Sequence, residues 1–463
     1  MGIWNRFLDE VVEPGNCTHC GACVGLNPGV LEFRETTRGP LPIPIGNPPD
    51  DTAELASAWA VCSGRGVPFP QLFRHLGVES PNTLAGPVTQ SFTGYASDPV
   101  IRRTGASGGA ISRVLIHLVE SGRVSGAVVL QQGRTVPDIA EPFIATSREE
   151  ILAAAQSVYA VTPMLTILDQ MADFDGNLAF VGLPEQVATL RMLQAAGNPA
   201  ALKVTFVAGP YTGTNMYRGA VRAFLRSHGV GKDVPIESLK WRAGEWPGYL
   251  EVRAGGEVYR AAKFYYNYLI PFYISRNCQI TPDFTNELTD MSVGDAWSPA
   301  FEKERGGHSV ILARNEKARD LLVEVRDAGD MVLDEVNLTQ ALSMHGHMLD
   351  FKKRGSFIRL DIQERGGKPV PRFGYRPRDI AQSRRMIERI IGLFFSVGRM
   401  RIARWTVERL PLKLVGTLFD VMRRSWKSAS KPAKRKGLRE LDMIDVPTED
   451  RWQEVLNVME NRA

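Results

Sequence analysis

Cysteine and histidine are scarce in this chain, with five and seven among 463 residues. An odd count of five excludes a fully paired disulfide framework, and clustered thiols in a reducing compartment more often bind metal. No apolar run reaches the length that a bilayer crossing needs; Ile390 to Val397 is the longest candidate and is far too short. No repeat organises the 43 Gly and 29 Pro, which excludes a collagen-like chain. Near the N-terminus, Asp9 and Glu10 stand where a signal peptide would carry an apolar core. These absences give the expectation of a cytoplasmic protein, or one resting on the cytoplasmic face of a membrane. What is present suits a folded chain: 44% hydrophobic and 23% charged residues, with length for two to four domains.

Charge is unevenly distributed. The formal net charge is +5, yet Arg376 to Lys436 holds 17 Lys or Arg against 4 Asp or Glu. That stretch carries +13 and the remainder −8, so the basic part is expected to meet an anionic surface. Three regions follow from the pattern. Residues 1–85 are irregular, rich in Pro and Gly, and hold four of the cysteines. Residues 86–350 alternate strand and helix patterns, the mark of an α/β core. Residues 351–463 form a basic, amphipathic, helical C-terminal tail.

Within the core, Ser107-Gly108-Gly109 precedes a helix with Ile111, Val114, Leu115 and Leu118 on one face, ended by Gly122. Gly126 to Leu130, Leu178 to Val181 and Leu202 to Val207 read as buried strands. Ser147 and Glu150 form a capping box, and Gln186 to Ala196 reads as a helix. In the tail, Ile387, Ile390, Ile391, Phe394 and Phe395 keep helical spacing. A second stripe takes Val415, Leu418, Phe419, Met422 and Trp426, and the tail ends in the basic run Lys431 to Lys436. These stripes either pack on the protein's own core or lie on a membrane surface; nucleic acid is the less favoured partner, since no recognition motif accompanies the charge.

The strongest chemical motif is Cys17-Thr-His-Cys20-Gly-Ala-Cys23. Three thiolates at every third position can wrap one 4Fe–4S cube, with the fourth ligand from elsewhere in the chain. Cys62 is the natural candidate. A zinc site with four thiolates is the alternative, although a zinc ribbon would show two separated CxxC pairs. His19 in that loop, and His345 with His347, are expected at the surface. Ser107, Gly108 and Gly109 could cradle a phosphate at a helix start, because glycine lets an anion approach the backbone.

Several motifs in order carry a resemblance. Gly94-Tyr-Ala-Ser-Asp98, Thr104-Gly-Ala-Ser-Gly-Gly109 and Gly126-Ala-Val-Val129 are followed by Asn286-Glu-Leu-Thr-Asp290-Met-Ser-Val-Gly-Asp295-Ala-Trp and Gly307-His-Ser-Val-Ile-Leu-Ala-Arg314. Together they resemble the coenzyme F420 hydrogenase/dehydrogenase beta-subunit family. The resemblance spans roughly Cys17 to Arg314 and implies an iron–sulfur flavoprotein. It implies a flavin, FAD before FMN, with Ser107, Gly108 and Gly109 at its phosphates and Gln186, Asn215, Gly294 and Asp295 around the pocket. Asp295 could instead cap a helix, and Asn215 could close a turn. Many relatives carry a second cluster. The matching positions here read Glu185, Thr212, Cys278 and Thr281, and oxygen ligands suit thiophilic iron poorly. The resemblance therefore implies one cluster in this chain and a leftover thiol at Cys278.

The reading is a cytoplasmic iron–sulfur flavoprotein oxidoreductase. Electrons from a ferredoxin-like donor or a deazaflavin pass through one 4Fe–4S cluster and a flavin to a small organic or lipid-linked substrate. A non-catalytic electron-transfer subunit of a larger redox complex and a zinc-bearing scaffold are the rivals. No proton donor can be named from the sequence; His308 has the best neighbourhood, but a structural role suits it better.

Overall fold

The computed structural model describes residues 1–463 apart from 80, 263–265, 299–300, 302–303, 305, 411, 430–440 and 461–463. Near the N-terminus, β1 (Leu31–Thr36) and β2 (Gly39–Pro44) form an antiparallel hairpin. The main sheet then takes β3 (Gln90–Ala96), β4 (Gly126–Gln132), β5 (Ala140–Ala145), β6 (Leu178–Val181) and β7 (Val204–Pro210). A separate three-stranded sheet follows: β8 (Ile236–Ala243), β9 (Tyr249–Ala254) and β10 (Glu257–Ala262). The chain returns to the main sheet with β11 (Met291–Asp295), β12 (Ser309–Ala313) and β13 (Met331–Glu335).

The main sheet has the order β13-β3-β12-β11-β7-β6-β4-β5. Its middle strands β11, β7, β6 and β4 run parallel, and the pairs outside them are antiparallel. The expected α/β core is therefore present, built on a mixed sheet. Both faces are buried. Leu178 and Phe180 of β6 enter one apolar cluster with Val128, Val204 and Val207; Ala179 enters the other with Ala127, Val129 and Phe206. This is the period-two alternation of a strand covered on both sides.

The helix after Gly109 spans Ala110–Glu120 and buries Val114, Leu115 and Leu118, as its spacing predicts. The helix expected from Gln186 starts two residues earlier, at Pro184. The strand expected from Leu202 begins at Val204 instead. Asn198 caps a short helical turn, Pro199–Leu202, by accepting from Ala201 N–H at 3.1 Å, and this leaves Leu202 exposed.

Beyond residue 350 the chain keeps contributing to the core. Helices Gly346–Lys353 and Gly355–Arg365 bury Phe351, Phe357 and Leu360. Helices Gln382–Gly398, Arg401–Val407 and Leu412–Ala429 follow. Near the C-terminus, helix Glu449–Glu460 buries Val455 in the cluster that holds Phe180 and Val187. There Arg451 donates to the Cys62 carbonyl at 2.8 Å, and Glu454 pairs with Arg65 at 2.6 Å. The basic run Lys431 to Lys436 and the side chains of Met422 and Trp426 lie outside the described residues.

Candidate functional site

A cavity of about 1030 Å³ opens at the C-terminal ends of the parallel strands. Its size is at the upper end for small-molecule sites, and strand ends are where open α/β sheets bind ligands. Of the residues singled out from the sequence, Ser107, Gly109, Gln186, Asn215, Gly294 and Asp295 all line it. Gly108 is adjacent, with φ +113° and its carbonyl accepting from Ala96 N–H at 2.8 Å. Ala110 and Ile111, in the first turn of the Ala110–Glu120 helix, also line the cavity. That helix thus presents its N-terminal dipole end to whatever occupies the space.

The reasons for these residue types differ from the expected ones. A side chain at Gly109 (φ +78°) would put Cβ 2.5 Å from the Ile101 carbonyl oxygen, so the fold itself demands glycine there. Gly294 is needed because a Cβ would overlap the Tyr211 ring. Gln186 is spent on the protein: its Oε1 accepts from Leu183 N–H at 2.8 Å, and its Nε2 donates to Thr162 O at 2.9 Å. It bridges two walls of the cavity. Asn215 is buried, and its Oδ1 accepts from Ser275 Oγ and from Cys278 Sγ.

Asp295 ends β11 and receives Arg242 from β8, with Nη1 at 3.0 and 3.1 Å from its two oxygens and Nη2 at 3.0 Å. Trp246 Nε1 donates to the same carboxylate at 2.9 Å. Burial works against the Arg242 guanidinium, but the carboxylate more than offsets this and holds its pKa above the ordinary value. Arg242 had no sequence signal, because its partner lies 53 residues away on another sheet. His345 was expected at the surface; instead it is buried, donates from Nε2 to Asp295 O at 2.7 Å, and meets the Tyr211 ring edge-on. His347 also lines the cavity. Gln156, which also lines the cavity, has φ +94°, a strained backbone of the kind that gathers at ligand sites. His308 packs between Tyr95 and Phe301, with Nε2 3.2 Å from Glu304.

The four N-terminal cysteines converge. Cys17, Cys20, Cys23 and Cys62 line one small pocket together with Phe7, Val11 and Ala58. Burial raises the Cys17, Cys23 and Cys62 thiols, Cys62 to about 11, and neighbouring thiols raise each further. Four thiols crowded in an apolar pocket become thiolates readily only with a bound cationic centre, so the donor set fits a cluster. A single zinc ion at about 2.3 Å from each sulfur would hold the sulfurs within about 4 Å of one another. Among the described residues no group of three or more His, Cys, Asp or Glu side chains, these four cysteines included, is arranged to hold a single metal ion, so what the structure shows is their shared pocket. His19 was expected to be exposed. It is buried with φ +57°, donates from Nδ1 to Pro40 O at 2.8 Å, and has its pKa pushed down to about 4 by burial. The loop uses it as a strut against β2.

The cysteine loop and the cavity share a wall. Leu165 N–H donates to Cys20 O at 2.8 Å, and a Cβ on Gly21 (φ +104°) would stand 2.8 Å from Leu165 N. Thr162 and Met164, in the same segment, line the cavity. A hydroxyl chain also joins the two: Thr18 Oγ1 to Ser63 Oγ at 2.8 Å, and Thr189 Oγ1 to Ser63 Oγ at 2.9 Å. Thr189 belongs to the helix that carries Gln186.

At the positions compared with a second cluster, a buried polar network occupies the space. Lys352 Nζ donates to Thr281 Oγ1 at 3.1 Å, and Asn277 Nδ2 donates to Glu185 Oε1 at 2.5 Å. Burial pushes the Glu185 carboxyl and the Cys278 thiol up, and the Lys352 ammonium pulls both back.

Two family models match the chain. The one described as "Coenzyme F420 hydrogenase/dehydrogenase, beta subunit N-term" matches residues 91–169, and its counterpart for the carboxy-terminal part of the same beta subunit matches residues 175–338. The four cysteines at 17–62 lie outside both. Among curated relatives, a coenzyme F420-dependent sulfite reductase of Methanocaldococcus jannaschii is 24% identical over 75% of this chain. The chain spans about half of that protein's length, 52%. A coenzyme F420 hydrogenase subunit beta of Methanococcus voltae is 27% identical, over 60% of this chain and 95% of that protein. Among solved structures, a chain of the F420-reducing [NiFe] hydrogenase complex from Methanosarcina barkeri shares the fold, with a TM-score of 0.50 and 17% identity over 63% of this chain and 98% of that chain. With both halves of the cavity-forming core matched in order, the chain belongs to the coenzyme F420 hydrogenase/dehydrogenase beta-subunit family.

Proposed function

We propose that this chain is an iron–sulfur flavoprotein oxidoreductase with one 4Fe–4S cluster at Cys17, Cys20, Cys23 and Cys62 and a flavin, FAD before FMN, in the large cavity. The observation that carries the reading is the shared wall. Residues 162–166 touch the cysteine loop on one side and border the cavity on the other. A bound flavin supplies the exchange between single-electron and hydride transfer that a cluster alone cannot perform. The chain's own residues bind, orient and exclude water. Ser107, Gly108, Gly109 and the following helix start offer backbone N–H groups to phosphates. Gln186 holds two walls together, and Asn215, Gly294 and the Arg242–Asp295 pair line the cavity. The names of the relatives favour a deazaflavin coenzyme as redox partner, with a ferredoxin-like donor as the other choice. The likeness to one chain of a multi-subunit hydrogenase keeps a place in a larger complex within the proposal.

The loss of the second cluster is part of the same proposal, supported by Lys352 standing among Cys278, Glu185 and Thr281. So is the division into an iron–sulfur segment (1–85), a flavin-binding core (86–350) and a helical extension (351–463). The test is anaerobic purification with iron, sulfide and flavin analysis. One cube gives about four irons and four sulfides per chain. Reduced deazaflavin and reduced ferredoxin are then each tried as donors while the flavin absorbance is followed. A colourless folded protein, or one that neither donor reduces, would overturn the reading.

A further inference from the structure

The three helices between 382 and 429 carry apolar residues on two faces. On Gln382–Gly398, Ile391, Phe394 and Phe395 point inward and pack with Ile274, Cys278 and Phe351. Met386, Ile390, Leu393 and Val397 form a second stripe at i, i+4, i+7 and i+11, and all four are exposed. The stripe continues through Met400, Ile402 (70% exposed) and Trp405, and then through Leu414, Leu418 and Val421 on the third helix. Among the described residues, 11 of the 22 exposed large hydrophobic side chains fall within residues 386–421. A surface helix ordinarily turns polar residues outward, so a concentration of this kind marks an interaction site.

Charge and the cavity say what the site meets. Arg389, Arg401, Arg409 and Arg424 are exposed in the same stretch. Both glutamates there are buried and paired, Glu388 with Arg384 and Arg359, Glu408 with Arg226. Asp420 pairs with Arg424. Arg409 lies over the exposed Trp405 ring at 4.3 Å, a pairing of basic and amphipathic groups suited to a lipid interface. No helix among the described residues is long and apolar enough to cross a membrane, so this face would lie on a bilayer and not through it. The cavity opens into this face: Ile390 (62% exposed), Val421 (57%) and Ser425 are at once surface residues and cavity wall. Ile387, Ile391, Phe394 and Phe419 line the same cavity as Asn215 and Asp295.

We infer that the face built by residues 386–425 seats on an anionic lipid surface, and that the cavity admits from it an amphiphile whose long apolar chain lies along Ile387, Ile391, Phe394 and Phe419. The docking stands on the exposed stripe and the arginines. The identity of this amphiphile as the redox substrate rests on the proposed function above.

The full chain is mixed with phosphatidylcholine vesicles, with and without phosphatidylglycerol, and floated at low and high salt. Flotation is expected with anionic vesicles at low salt and at least tenfold less at high salt. The triple variant L393E/I402E/L418E changes three exposed residues outside the cavity wall and should lose flotation while keeping its melting temperature and bound flavin. The control V332E alters an exposed apolar residue on β13, away from the patch, and should float normally. For the channel, the fluorescent eighteen-carbon probe cis-parinaric acid should bind the detergent-free protein, and Ile391→Trp should weaken that binding while sparing flotation. A folded wild-type chain that ignores anionic vesicles overturns the docking, as does a triple variant that floats unchanged; self-association through the same face would show instead as dimers that the triple variant abolishes. Failure to bind parinaric acid overturns the channel. A protein that floats and binds the probe yet lacks flavin would sink the redox reading and leave this one standing.

Discussion

Replacing Asp295 with Asn tests whether the Arg242–Asp295 pair fastens the small sheet to the main one. Arg242 sits on β8, Asp295 ends β11, and three guanidinium hydrogen bonds of 3.0, 3.1 and 3.0 Å join them. Asparagine keeps the shape, and its oxygen can still accept from Trp246, but Arg242 becomes a buried cation without a counter-charge. Breaking a buried pair from one side costs about 3–5 kcal/mol. The Asp295 side chain is 16% exposed and one acceptor survives, which places the loss at the low end, about 3 kcal/mol. That corresponds to roughly a hundredfold rise in local opening. The assay is native-state amide hydrogen exchange. Protection of β8, β9 and β10 should fall by about this factor, while amides of helix Ala110–Glu120 hold theirs. Adding Arg242→Met removes the stranded cation and should restore much of the protection. A change of less than about threefold in the small sheet, or an equal loss everywhere, would refute the reasoning.

Cys20→Ser should bleach the visible cluster absorbance, drop iron below one cube per chain and open the Pro-rich stretch around residues 40–49 to protease, which limited proteolysis would show. Gly109→Ala should lower thermal stability and flavin content together, because its Cβ meets the Ile101 carbonyl before any ligand; loss of flavin with unchanged melting would contradict this. Gln186→Ala removes one hydrogen bond between cavity walls, to Thr162, and one within its own helix start, to Leu183; losing the inter-wall bond at about 1 kcal/mol should quicken flavin dissociation about fivefold in stopped-flow release while the iron content stays put.

Local features of this chain are legible from its sequence because they depend on near neighbours. The CxxCxxC spacing closes a loop around one point, and the apolar period at Ile111 to Leu118 defines a helix face. Gly122 and its φ of +68° end that helix as expected. Pairings over long separations are not written locally. The cavity gathers Ser107, Gln186, Asn215, Asp295 and Ile390 only after the chain has left and re-entered one sheet, and Arg242 reaches Asp295 from a different sheet altogether. His19 and His345 are buried, against the surface position their sequence suggests, for the same reason. A histidine's burial depends on the carbonyl that accepts from it, Pro40 for one and Asp295 for the other, and neither partner is adjacent in sequence. In the tail, helical spacing shows that Ile391 and Phe395 share a face with Ile387, but only tertiary packing decides which of two apolar stripes the core covers. The inner one meets Phe351 and Cys278; the outer one, from Met386 to Val397, is left to solvent because no element of this chain packs over it among the described residues.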